Sequence, residues 1–357
     1  MADLNVLVVN AGSSSLKLSV LGDDDGEVAP ARTTERWDGD DAPLEKFLGD
    51  VGPVDAVGHR VVHGGMQFTT PTRIDDAVRA DLETLVPLAP LHQPRSLAAI
   101  DAARRTLPGA PQVACFDTAF HSTMSPAAAT YALPAEWRAR WPLRRFGFHG
   151  LAHAYASRRA AEVLGLQLES LRMVTCHLGA GASLCAVAGG QSIDTTMGFT
   201  PLEGLVMATR SGTVDPGLVL WLLQDGGLTV GDVADGLERQ SGLLGLCGAA
   251  DLRDVLSARS HGDPDAALAF AVYTHALRRE LGAMVSVLGG AEVIVFSGGV
   301  GEHSREVRAA VRLPIDAERN ASTTADGDIS EDDADVRTVV VTAREDLEIA
   351  RQVRDVL

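Results

Sequence analysis

Two stretches of this chain repeat one plan, and that repeat limits the possible fold more than any other feature. "VVNAGSSSLKLSV" (8–20) and "VTCHLGAGASLCAV" (174–187) each pass from an apolar run through one polar residue into a glycine loop, then into a second apolar run. Apolar residues at alternate positions fit strands, and two such runs joined by a short Gly/Ser linker make a hairpin. Setting Asn10-Ala11-Gly12 on His177-Leu178-Gly179 brings Val20 against Val187, but the apolar parity after the loops then differs by one residue. The alignment therefore hides a small difference in loop length. The chain reads as an internal duplication: two homologous α/β halves, each opening with a glycine-rich hairpin. Its 357 residues suit two domains better than one core.

Elsewhere the spacing predicts strands over 56–62 and 113–116, and helices over 74–86, 96–106, 217–224, 266–288, 302–311 and 345–356. Residues 23–41 are acidic and turn-rich, a surface loop or a distorted third strand. "VIVFSGGVGEH" (293–303) reads as a buried strand, a glycine loop and a helix, and 316–335 as a solvated connection. The net charge of −17 argues against nucleic acid or an anionic membrane as partner. Four widely spaced cysteines without a CxxC pair suggest neither a disulfide framework nor a zinc ribbon. "MADLNVLVVN" lacks the features of a signal peptide, and the expectation is a cytoplasmic protein.

Several residues could carry chemistry. Gly12 and Lys17 do not fit a Walker loop, because the second glycine is absent and a strand follows. The hairpin tip can still hold phosphate through backbone N–H groups and serine hydroxyls, with Lys17 supplying charge; a plain turn is the alternative. Arg60 ends a strand in "HRVVHGG", ahead of a glycine pair that lets the backbone pass close to a ligand. His149 lies in "FGFHGLAH"; with His153 it has i, i+4 spacing, but the glutamate of a zinc protease motif is missing. Arg210, in "TRSGTVDPG", is placed for an oxyanion clamp or for a surface salt bridge. A metal would find oxygen ligands at Asn10, Asp117 and Glu345, residues that could equally be caps.

Taken together, "NAGSSSLK", "HRVVHGG", "PLAPLHQP", "FDTAFH", "FGFHGLAH", "HLGAGAS", "TMGFTPLEGL", "TRSGTVDPG", "SGLLGLCG", "SGGVGEHS" and "EDLEIAR" resemble, in order, the segments of the acetate kinase family. That family belongs to the acetate and sugar kinase/heat-shock-protein/actin superfamily. The resemblance implies an α/β fold of two duplicated ribonuclease-H-like domains (residues 1–121 with 344–357, and 122–343), with an active-site cleft between them. It implies reversible, Mg²⁺-dependent transfer of the ATP γ-phosphoryl group to acetate, with Mn²⁺ as a possible substitute and a homodimer as the assembly. By the resemblance, Arg60, Asp117, His149 and Arg210 are catalytic, and Asn10 and Glu345 hold metal. Arg60 also binds the acyl group together with Val62, Leu91, Phe148 and Pro201. Ser13, Ser15, Lys17, His177, Gly179, Asp251, Arg253, Gly299 and Gly301 serve phosphate and nucleotide. Ala180, His303 and Arg344 depart from the family pattern, each where asparagine is usual. Propionate or butyrate kinases of the same family, or a non-catalytic nucleotide-binding relative, are the alternatives.

Overall fold

The computed structural model describes residues 4–12, 15–311 and 326–357. They form two compact units, one from 1–122, 148–155 and 344–357, the other from 123–147 and 156–343.

The first unit holds β1 (Val6–Ala11), β2 (Ser15–Leu21), β3 (Glu27–Glu35), β4 (Ala56–Val61), β5 (Thr72–Arg73) and β6 (Gln112–Phe116) in one sheet, ordered β3-β2-β1-β4-β6-β5. β1 is antiparallel to β2 and parallel to β4, which runs parallel to β6. Both faces of β1 are covered, which is why it is a nearly unbroken apolar run. On one face Leu7 and Val9 cluster with Leu44 and Phe47 of the helix Ala42–Val51 and with Ala99, Ala102 and Ala103 of Gln93–Thr106. On the other, Val6 and Val8 meet Leu151 of Gly150–Leu164 and Ile349, Ala350 and Val353 of Glu345–Val356. The last helix comes so close to β4 that a Cβ on Gly58 would lie 2.5 Å from Ile349 and 2.7 Å from Val353.

In the second unit, β7 (Arg172–Leu178), β8 (Ala182–Ala188), β9 (Gln191–Thr195), β10 (Val293–Ser297), β11 (Gly327–Asp328) and β12 (Arg337–Val340) take the order β11-β12-β10-β7-β8-β9. Read in reverse, this is the order of the first sheet, with the same strand senses throughout. The helix Pro264–Val287, capped by Asp263, packs on β7, β8 and β9.

The registers make the duplication exact. Ala11 pairs with Leu16 and Leu178 with Ala182, so the first hairpin holds one more residue. Val20, paired with Leu7, therefore corresponds to Ala186, paired with Val174, and not to Val187. Counted along the paired strands, Asn10 corresponds to His177, Arg60 to Ser297 and Asp117 to Ala343.

Other expectations shift locally. Residues 27–35 form a true third strand, with register irregularities against β2. The helix foreseen over 74–86 is Asp76–Thr84, started by the Asp75 side chain accepting from Val78 N–H. "GGVGEH" is itself a helix, Gly298–His303, rather than a loop before one. Gly298 makes the turn possible: its φ is +76°, and a Cβ there would lie 2.6 Å from the Leu178 carbonyl oxygen. Residues 316–325 lie outside the described set; 327–328 pair with β12, and Ile329 and Ser330 beyond them are buried rather than solvated.

Candidate active site

Four segments converge at the carboxyl ends of the central strands of the first unit. Asn10 comes from β1, Arg60 from β4, Asp117 follows β6 directly, and Glu345 opens the last helix. Arg60 forks onto Asp117: Nε donates to both carboxylate oxygens at 3.2 and 3.1 Å, and NH2 donates to Oδ2 at 2.7 Å. Its NH1 reaches Asn10 Oδ1 at 3.4 Å and Glu345 Oε2 at 3.8 Å, and Asn10 Nδ2 donates to Glu345 Oε2 at 3.2 Å. Burial pushes the Asp117 carboxyl above the usual carboxylate range, against the pull of Arg60. Burial alone would lower the Arg60 guanidinium, but the Asp117 and Glu345 carboxylates raise it, so it stays firmly charged. Lys17 stands opposite Asn10 on β2, exposed. Ser15 closes the hairpin through its carbonyl, which accepts from Gly12 N–H at 2.7 Å; Ser13 lies outside the described residues.

His149 has φ of +59°, a left-handed conformation that non-glycine residues seldom adopt. Its neighbours impose it. The Phe148 carbonyl bonds His121 Nε2 at 3.0 Å, and Gly150 N–H donates to the Asp117 carbonyl at 2.8 Å. A Cβ on Gly150 would lie 2.3 Å from that carbonyl oxygen, so only glycine lets the chain turn there. Val62 and Phe148 are buried nearby in sequence to Arg60 and His149, whereas Leu91 is 41% exposed on a turn.

The second unit contains a cavity of about 720 Å³, lined by Gly179, Ala180, Thr209, Leu243, Asp251 and Gly299 among others. That volume lies within the range of pockets that take a nucleotide-sized ligand. Arg253 and the family-departing His303 also line it; His177 and Gly301 do not. His177 instead faces Ser297 across the strand pair, Nδ1 to Oγ 3.2 Å. Asp251 caps the helix Leu252–Ser260 and is ion-paired to Arg253, which holds its carboxyl down at about 2. Tyr273 and Glu306, also in the wall, carry no motif that sequence reading could single out; folding brings them there from separate helices.

Arg210 is half-buried in the same unit. Among the described residues its guanidinium has one hydrogen bond, NH1 to the Pro201 carbonyl at 2.7 Å, and no carboxylate within ion-pair distance. Burial lowers its pKa, with Glu238 opposing. A partly desolvated cation with no carboxylate at ion-pair distance among the described residues is suited to an anionic ligand. The salt-bridge alternative for Arg210 is thereby excluded among the described residues.

A sequence profile of the Acetokinase family matches residues 44–351. The chain belongs to the acetokinase family. An acetate kinase of Synechococcus sp. (strain JA-2-3B'a(2-13)) is 44% identical over 402 residues, covering 99% of both sequences. The crystal structure of Porphyromonas gingivalis acetate kinase superposes with a TM-score of 0.92 at 34% identity, covering 99% of each chain. That of a propionate kinase from Francisella tularensis subsp. tularensis gives 0.91 at 31% identity, again covering 99% of each. Acetokinase membership and the twin six-stranded sheets together establish the duplicated ribonuclease-H-like α/β fold that the motifs implied.

Proposed function

We propose that this acetokinase-family chain is an acetate kinase, transferring the ATP γ-phosphoryl group reversibly to acetate to give acetyl phosphate and ADP. The observation that carries the reading is the Asn10–Arg60–Asp117–Glu345 cluster, an arginine held by a buried carboxylate beside two further oxygen donors. In the proposed reaction an acetate oxygen bonds to the γ-phosphorus while the bond to the ADP oxygen breaks, and no proton moves. The nucleophile is ionised near neutral pH, so no general base is needed. What the protein must supply is position and positive charge.

Arg60 and His149 are assigned to the acyl and phosphoryl groups, and Arg210 to the phosphoryl group as it transfers. Asp117 fixes the plane of Arg60. Val62, Phe148, Leu91 and Pro201 are assigned to the acyl methyl. Ser15, Lys17, His177, Gly179, Asp251, Arg253, Gly299 and Gly301 are assigned to phosphate and nucleotide, and Ser13 by motif alone. The amide oxygen of Asn10 and the carboxylate of Glu345 suit a hard divalent cation that keeps most of its waters. Magnesium bound there supplies charge neutralisation to the nucleotide phosphates; manganese would do the same.

Hydroxylamine trapping of acyl phosphate, with ATP, Mg²⁺ and acetate, propionate or butyrate in turn, tests this. Acetyl hydroxamate is expected, and no hydroxamate from any acid would overturn the kinase reading. The propionate kinase likeness keeps one alternative in view, and a kcat/KM preference for propionate or butyrate would select it. A homodimer and a cytoplasmic location complete the proposal. Exposed Leu218, Leu220 and Trp221 on the helix Pro216–Gln224 support the first, and light scattering at the monomer mass would refute it. No helix among the described residues is long and apolar enough to cross a membrane.

A further inference from the structure

The segment that presents Pro201 and Arg210 is pinned by three side chains that none of the family-implied roles uses. Glu203 divides its carboxylate: Oε1 accepts from Arg145 NH2 at 2.7 Å, and Oε2 accepts from the Tyr131 hydroxyl at 2.6 Å. Tyr131 Oη in turn accepts from Phe199 N–H at 2.9 Å. Arg145 NH1 lies 3.1–3.2 Å from the carbonyl oxygens of Thr195, Thr196 and Met197 and donates to all three. The peptide between these anchors is clamped as well, since the Gly198 carbonyl accepts from Phe146 and Gly147 N–H at 3.1 and 3.2 Å. A Cβ on Gly198 would lie 1.7 Å from the Glu203 carboxylate and 2.2 Å from the Tyr131 hydroxyl, so the turn fits only around this hub.

Glu203 sits between a direct tie to Arg210 and a tie to Thr213, three residues beyond that arginine. Two residues before it, the Pro201 carbonyl holds the Arg210 guanidinium. One residue after it, Gly204 is paired both ways with Thr213: its carbonyl accepts from Thr213 N–H at 3.0 Å, and its N–H donates to Thr213 Oγ1 at 3.1 Å. Among the described residues Arg210 has no carboxylate at ion-pair distance and one side-chain hydrogen bond, to that carbonyl, which lies between the hub's anchors at Phe199 and Glu203. The network joins charged and neutral groups in a partly buried setting, where removal of one member leaves the others unsatisfied.

We propose that Glu203, with Arg145 and Tyr131, is a positioning residue for Arg210: it holds the Gly198–Gly204 turn so that the guanidinium presents to the transferring phosphoryl group. This rests on the kinase reading, and the test separates the two. Glu203→Gln keeps the shape of the side chain but loses its charge. The expected result is a fall in kcat of about 10- to 100-fold, with KM for ATP and ADP affinity by calorimetry within about twofold of the parent. The deciding measurement is a cycle with Arg210→Ala. If Glu203 acts through Arg210, Glu203→Gln costs little further in the Arg210→Ala background. Equal, additive losses in both backgrounds would overturn the positioning role while leaving the kinase reading intact. Should Glu203→Gln fail to fold, Tyr131→Phe enters the same cycle. A parent without acyl kinase activity would sink the reading instead. The hub is then judged by amide hydrogen exchange: accelerated exchange over 198–212 in Glu203→Gln supports it, and unchanged exchange refutes it.

Discussion

A guanidinium forked onto a fully buried carboxylate has little freedom to swing, and Arg60 gains its orientation from Asp117 in that way. Arg210 is built on the opposite principle, half-buried and bound to a carbonyl that adds no charge. Its removal leaves little unpaired, so Arg210→Ala is expected to lower kcat by about 10³-fold or more. The thermal midpoint should stay within a few degrees of the parent; near-normal kcat would contradict the assignment. Gly150 behaves otherwise, because a methyl there meets the Asp117 carbonyl at 2.3 Å and Phe120 Cβ at 2.9 Å. Gly150→Ala should therefore displace Asp117 and His149 together. We expect a loss of about 1–3 kcal/mol in urea unfolding and at least about tenfold in turnover. A stable, fully active variant would show that the close approach does not matter.

At the level of elements, the last helix matters because it carries Glu345 on its first turn and seals the β4 face with Ile349 and Val353. Gly58→Ala pushes a methyl against both side chains, and overpacking of this kind costs about 1–3 kcal/mol. Metal dependence should report the shift: the Mg²⁺ concentration for half-maximal rate is expected to rise, and an unchanged value would separate the helix from the metal role. Elements of this kind were legible in the sequence where one physical signal dominated. β1 announced itself by its short apolar run and β2 by alternation, β7 and β8 by repeating the same strand–glycine loop–strand plan, and the last helix by its apolar stripe. The helices Val230–Arg239 and Leu252–Ser260 and the strand Gln191–Thr195 did not, since short amphipathic runs between glycines look like loops. Arg60, Arg210 and His149 stood out only beside their glycines. Glu203, Arg145 and Tyr131 could not, because their link is made by folding across more than fifty residues of chain.

Over the whole molecule, the duplication is one of backbone and not of chemistry. Where the first unit places Asn10, Arg60 and Asp117, the second places His177, Ser297 and Ala343, leaving the charged cluster to one sheet. The first unit also buries His59 and His63, and burial lowers both imidazoles to about 4. Because the folded values lie below the ordinary one near 6.5, the unfolded chain takes up protons first as pH falls. Stability is therefore expected in full above about pH 6.5 and to decline toward about pH 4, by up to about 3 kcal/mol per histidine. Urea midpoints measured across that window check this, and a flat profile would refute it. The route of the chain has a consequence for synthesis. β1 and β4 are made early, but Ile349, Ala350 and Val353, which cover one face of their sheet, come almost three hundred residues later. At roughly 5–20 residues per second, a ribosome would leave that apolar face uncovered for some tens of seconds. Throughout that interval the face is open to non-specific apolar contacts, and the second unit gains little lead, because its own sheet waits for β10 and for β12, which ends at Val340 shortly before Ile349.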